Sequence, residues 1–229
     1  MPPELRRVGP VLVVSALPMA QNVVFPLALM FPKILLSSHF WDEKIKSEVM
    51  AEGIQLRHSY YALLFRQLVV MHKASSNRDA AFKICLSRLA NGKHPNPDQI
   101  LEMAQAFCVE FPLQKLTAKH RRWLVKIHEN VGFLPTLFPV SKLRLFSNMM
   151  LEIDKALERE RHRLEGLDEL RRQCHMRGLN IQTSSTEQMN AYLNDWLDVS
   201  LQLKPHQASL LLHLPILLGY NFRTKAVKL

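Results

Sequence analysis

The sequence predicts an all-α protein, and three observations carry the prediction. The aliphatic residues are mostly Leu rather than Val or Ile, a balance that favours helices over sheets. Apolar residues recur at spacings of three and four, and no window alternates convincingly with period two. Only 7 residues are Gly, and Asn91-Gly92 is the one Asn-Gly turn dipeptide. A chain of 229 residues, 48% hydrophobic, can bury a sizeable core as one large domain or two small ones.

The first element is a stretch of 25 residues from Val8 to Pro32 without a charge. It is long enough for a bilayer, which takes roughly 20 apolar residues. Pro18, Pro26 and Pro32 interrupt it, and Gln21 and Asn22 sit at its centre. On these residues alone a membrane span and a buried core helix are equally compatible. Asp42 is placed to cap a helix beginning at Glu43, and Tyr61, Leu64, Leu68 and Met71 mark one helix face further along the chain. Ser76 or Asn77 is expected to cap the next helix, with Phe82, Cys85, Leu86 and Leu89 inward and Gly92 as its stop. Asn96 caps a further helix with Pro97 in its first position, and Thr117 opens one that runs to Gly132.

The longest element is expected from near Ser141, where Leu143, Phe146, Met150, Ile153, Leu157 and Leu164 trace a stripe. Its second half, "DKALERERHRLE", mixes both charge signs and reads as a solvated face. A short helix from Leu167 stops at Gly178. Ser184 and Glu187 offer a capping box for a helix with Met189, Leu193, Trp196 and Leu197 inward. Pro205 opens the last helix, Pro215 bends or ends it, and "RTKAVKL" is a basic tail. One echo runs through the chain: Leu124, His128 and Gly132 repeat the spacing of Leu170, Cys174 and Gly178.

The net charge of +10 points to an acidic partner, either nucleic acid, an anionic membrane face, or both. Residues 113–146 hold seven basic side chains (Lys115, Lys119, Arg121, Arg122, Lys126, Lys142, Arg144) against one acid, Glu129. Lys119, Arg122 and Lys126 share one side of a helix, where they can track phosphates or form a solvated outer face. Cys85, Cys108 and Cys174 are widely spaced and odd in number, which fits small core residues in a reducing compartment and no disulfide framework or zinc site. No phosphate-binding glycine loop, metal motif or catalytic constellation is present, so the expectation is a protein without cofactor that is not an enzyme. His128 falls on an inward stripe and is expected to be a satisfied core histidine. The segment "MPPELRRVGP" reads neither as a secretory signal nor as a transit peptide.

The stretch "LPMAQNVVFPLALMFPKILLSSHF", with Pro18 and the pair Phe31-Pro32, resembles the Pro-rich end of the single span in the LETM family. "LTAKHRRWLVKIHENVGF" with "KLRLFSNMMLEID" resembles that family's Gly-ended helix, here at Gly132, and its long basic helix. "LDELRRQCHMRGLN", "LNDWLDVSL" and "SLLLH" resemble its most recognisable block, carried by Leu170, Cys174, Gly178, Trp196 and Leu197. The match is nearest to the shorter animal members, which lack the coiled coil and EF-hand. It implies a mitochondrial inner-membrane protein with a segment at 8–32 in the membrane. A helical matrix domain similar to the 14-3-3 fold at 33–218 and a basic tail at 219–229 are implied as well. Implied partners are the mitochondrial ribosome, anionic lipids and other inner-membrane proteins, in support of inner-membrane protein biogenesis. Lys119, Arg121, Arg122, Lys126, Lys142 and Arg144 are then the candidate contacts. Longer members are associated with exchange of potassium or calcium for protons and carry a Glu three residues after a Pro in the apolar segment. Here that position is Gln21, which cannot carry a proton charge.

Overall fold

The computed structural model describes residues 43–74, 79–128, 139–160 and 166–222. Among them there are helices and connecting turns and no strand, in agreement with the sequence. The expected membrane segment with Pro18, Gln21, Asn22, Phe31 and Pro32, the expected caps Asp42, Ser76 and Asn77, and Gly132, Leu164 and the tail from 223 lie outside the described residues. The chain divides into two units, 1–55 with 131–133 and 56–130 with 134–229. Of the first unit the described residues are the opening turns of one helix. The second holds the rest.

That helix, α1 (Glu43–Ala74), runs 32 residues and is the longest described. The helix expected to be longest, α6 (Pro139–Arg159), runs 21. The sequence understates α1 because its outward face breaks the apolar pattern: Leu56 and Val70 are exposed among polar residues. Tyr61, Leu64, Leu68 and Met71 are buried as their spacing requires. In α2 (Ala80–Ala90) the N-cap is Asp79, whose side chain accepts the Ala81 N–H at 2.9 Å. Gly92 has φ +76 just beyond the helix end, a conformation that glycine adopts without steric cost.

The expected single helix after Asn96 is two, α3 (Pro97–Glu102) and α4 (Ala104–Glu110), joined at Met103. Gln99 Oε1 accepts the Asn96 N–H at 3.0 Å and fixes the first. The break turns Met103 and Phe107 both into the core. Then come α5 (Ala118–His128), α6, α7 (Leu167–Met176) and α8 (Thr186–Ser200). The cap of α8 is shifted one residue from expectation. Ser185 Oγ accepts the Gln188 N–H at 3.3 Å and Gln188 Oε1 accepts the Ser185 N–H at 2.9 Å. Ser184 instead donates to Asn180 O at 2.7 Å.

A short 3₁₀ turn, Pro205–Gln207, precedes α9 (Ala208–Gly219), every residue of which is buried. A helix apolar on all sides belongs at a centre, and α9 touches α4, α5, α6 and α8. Pro215 lies within it, and the helix continues to Gly219. The packed chain then runs on through a turn at Tyr220–Phe222, with Tyr220 against Phe65 of α1. No described helix is long and apolar enough to cross a membrane.

Candidate acidic-partner interface

The basic stripe of α5 is presented by a helix whose other side is anchored in the core. His120, Leu124, Val125 and Ile127 are buried, and α5 packs on α6 and α9. Thr117 Oγ1 accepts the His120 N–H at 3.2 Å at the helix start. Lys119 and Arg122 are exposed and Lys126 is half-buried, all on the opposite side. The sequence from Phe111 to His128 contains no carboxylate.

Histidines hold α5 against α9. His213 Nδ1–H donates to Ser209 O at 2.6 Å, which leaves its Nε2 bare to accept the His120 Nε2–H at 2.7 Å. His128 Nε2–H donates to Leu212 O at 2.9 Å, so the expected satisfied core histidine is observed. Burial drives all three toward the neutral form: His120 to about 2, His128 to about 3 and His213 to about 4. The mutual charge of the His120–His213 pair lowers His120 further.

The other candidates are not all brought to this face. Arg121 lies on a different side of α5, where its guanidinium donates to Gln114 O at 3.2 Å and to Leu116 O. It ties the helix to the loop that precedes it. Lys142 is half-buried and Arg144 exposed, both in the first turns of α6. Beyond them the exposed apolar residues Leu145 and Met149 stand one turn apart.

The residues of the most recognisable family block form a different cluster, buried among α6, α7 and α8. Asp154 and Arg177 are fully enclosed. Arg177 donates to Asp154 Oδ1 through Nε at 3.1 Å and Nη2 at 2.5 Å, while Trp196 Nε1 donates to Oδ2 at 2.9 Å. Gln173 receives the remaining Arg177 nitrogen on its backbone oxygen at 2.9 Å and on Oε1 at 2.6 Å. The second half of α6 is therefore no solvated face at Asp154. Placing a carboxylate inside costs several kcal/mol unless it is paired and fully hydrogen-bonded, as here. Gly178 comes next with φ +97, and a Cβ there would collide with Tyr61 Oη and lie 2.9 Å from Pro215 Cβ. Tyr61 donates to Gly178 O at 2.7 Å and Tyr192 to Arg177 O at 2.7 Å. Leu170 is buried, Cys174 Sγ donates to Met189 O at 3.3 Å, and Leu197 is buried beside Trp196 in α8. These motif residues are architectural: they join α1, α6, α7 and α8.

Sequence reasoning missed Asp154, Arg57 and the His120–His213 pair. Arg57 Nη1 donates to His175 O at 2.5 Å, reaching from α1 to α7. Among the described residues no group of His, Cys, Asp and Glu is placed to hold a metal ion.

Fold and surface together define a helical module that offers a basic helix face on a rigid apolar core. The LETM1-like, RBD family matches residues 1–217, and the chain belongs to that family. It is 29% identical to the LETM1 domain-containing protein 1 of Xenopus tropicalis over 96% of this chain and 63% of that protein. The Homo sapiens protein of the same name is 26% identical over 92% of this chain and 59% of its own length. The mitochondrial proton/calcium exchanger protein of Drosophila melanogaster is 25% identical over 86% of this chain and 20% of its own. The chain thus spans about three fifths of the first relatives it matches. No solved structure matches it.

Proposed function

We propose that this chain is a non-enzymatic binding module of the mitochondrial inner membrane whose helical domain faces the matrix and holds mitochondrial ribosomes. The observation that carries the reading is the carboxylate-free stripe of Lys119, Arg122 and Lys126, presented on a helix that buried histidines fix to the core. The family's ribosome-binding description agrees with it. Residues 8–32 are the membrane anchor in this proposal, the domain resembles the 14-3-3 fold, and Lys142 and Arg144 extend the charged surface. Anionic lipid headgroups and other inner-membrane proteins are secondary contacts. The role is support of inner-membrane protein biogenesis.

Phosphate neutralisation releases counterions, so affinity falls linearly with the logarithm of salt. Co-sedimentation of the chain with mitochondrial ribosomes across a salt series is the test. Salt-weakened binding that Arg122→Glu with Lys126→Glu abolishes supports the proposal. Binding unchanged by that double reversal sinks it.

A second reading, participation in cation/proton exchange, is favoured by the name of the Drosophila relative. It requires assembly around Gln21 and Asn22, because one span forms no pathway by itself. Cation flux into liposomes that Gln21→Leu removes would support this reading. Flux that survives the change excludes Gln21 from the pathway, and no flux at all excludes the reading.

A further inference from the structure

On the face that carries Lys119, Arg122 and Lys126 stands an aromatic side chain, Trp123. We propose that Trp123 is a stacking platform for an unpaired base, so that the partner of this face is a single-stranded segment of RNA. The inference rests on the reading of α5 as the acidic-partner face and names the partner's chemistry.

The geometry is specific. Positions 119, 122, 123 and 126 lie three and four apart and share one side of α5. Trp123 is half-buried, with part of its ring packed against the core. The Lys119 ammonium lies over the ring, 5.2 Å from its centroid. That side chain is exposed, and the contact is a surface cation–π interaction of about 0.5–1 kcal/mol. A base can displace it, leaving the ammonium beside the phosphate that accompanies the base.

Arg122, exposed and without an ion pair to any described residue, comes next along the helix, then Lys126. Lys119 to Lys126 covers about 10 Å of helix axis, room for a short run of backbone. A surface built for phosphates alone has no use for a partly exposed indole. Cations flanking an aromatic face are the combination that binds single strands without reading their sequence. In a duplex the base faces are already stacked, so loops, bulges and ends are the matching form. An acidic protein surface would satisfy the cations and leave the ring unused.

The test compares an unstructured RNA oligonucleotide with heparin, a polyanion that has no bases, using the full chain across a salt series. Wild-type chain is expected to bind both, with its tryptophan emission quenched by the RNA. Trp123→Ala should weaken RNA binding about 5- to 150-fold, the loss of one stacked base, and leave heparin binding and the salt slope unchanged. Trp123→Phe keeps an aromatic face, so affinity should largely persist while the RNA-dependent quenching disappears; this readout stands even where the alanine variant fails to fold. Equal loss for RNA and heparin, or quenching that persists in Trp123→Phe, overturns the inference while keeping α5 as a polyanion face. Failure of wild type to bind either ligand overturns both this inference and the reading beneath it.

Discussion

Asp154 is the residue at which charge pattern and burial part company. It sits four after Met150 and three before Leu157, both buried, so its position on the apolar stripe of α6 marks it as inward. The charged neighbours Lys155, Glu158 and Arg159 conceal that position when the segment is read as a composition. What composition cannot show is the partner, because Arg177 and Trp196 come from other helices. Removing one member of a buried pair leaves the other uncompensated, which costs about 3–5 kcal/mol. Asp154→Ala should lower stability by about that amount in urea unfolding, and Asp154→Ala with Arg177→Met should lower it by less than the sum of the singles. Additive losses would show that the pair acts as two independent sites. Gly178 was legible as a helix stop from its place after Arg177, but its second constraint, the approach of Tyr61 Oη, came only from the fold.

Elements were legible where local chemistry decides them. Asn96 and Pro97 start α3, and Phe82, Cys85, Leu86 and Leu89 line the inner side of α2, each predictable from spacing or fixed φ. Ends that depend on choosing between adjacent capable residues were not. Ser184 and Ser185 are both N-cap formers, and each has a Glu or Gln three residues on, at Glu187 and Gln188. The fold chooses Ser185 because Ser184 is drawn back to Asn180 O in the preceding loop. Loss of an N-cap hydroxyl costs about 1 kcal/mol. Ser185→Ala should therefore destabilise the chain by about that amount, and Ser185→Asp should largely restore it. A thermal scan in which Ser185→Ala melts with the wild type would remove the cap from α8. Of the two outcomes expected at Pro215, a bend or an end of α9, the end does not occur, and the reason is tertiary. Proline lacks one donor, but the wholly buried helix is held by packing on every side, including the close approach to Gly178.

At the scale of the whole molecule, buried imidazoles couple the fold to pH. His120, His128, His175 and His213 are held neutral by burial, with His128, His175 and His213 at about 3, 4 and 4. Their folded values lie below the ordinary value of about 6.5 that the unfolded chain retains. The sign comes from linkage: below pH 6.5 the unfolded chain binds protons that the folded chain does not, so stability falls as pH drops toward 4. Above pH 6.5 both states are neutral at these positions and the effect vanishes. The imidazoles of His120, His128 and His213 join α5 to α9, so acid weakens the interior ties that hold the basic stripe in place. Exposed basic residues gain no charge over this range, and any loss of polyanion binding there reports on the support and not on the stripe. Urea midpoints measured from pH 7.5 to 5 are expected to fall, more steeply at the acid end. His128→Gln keeps an N–H for Leu212 O without a titrating group, and it should flatten the acid limb by up to about 1.4 kcal/mol for each pH unit below 6.5. A variant profile that overlays the wild type would show that His128 accepts its proton in the folded chain, and that its place against α9 is not what sets the acid sensitivity.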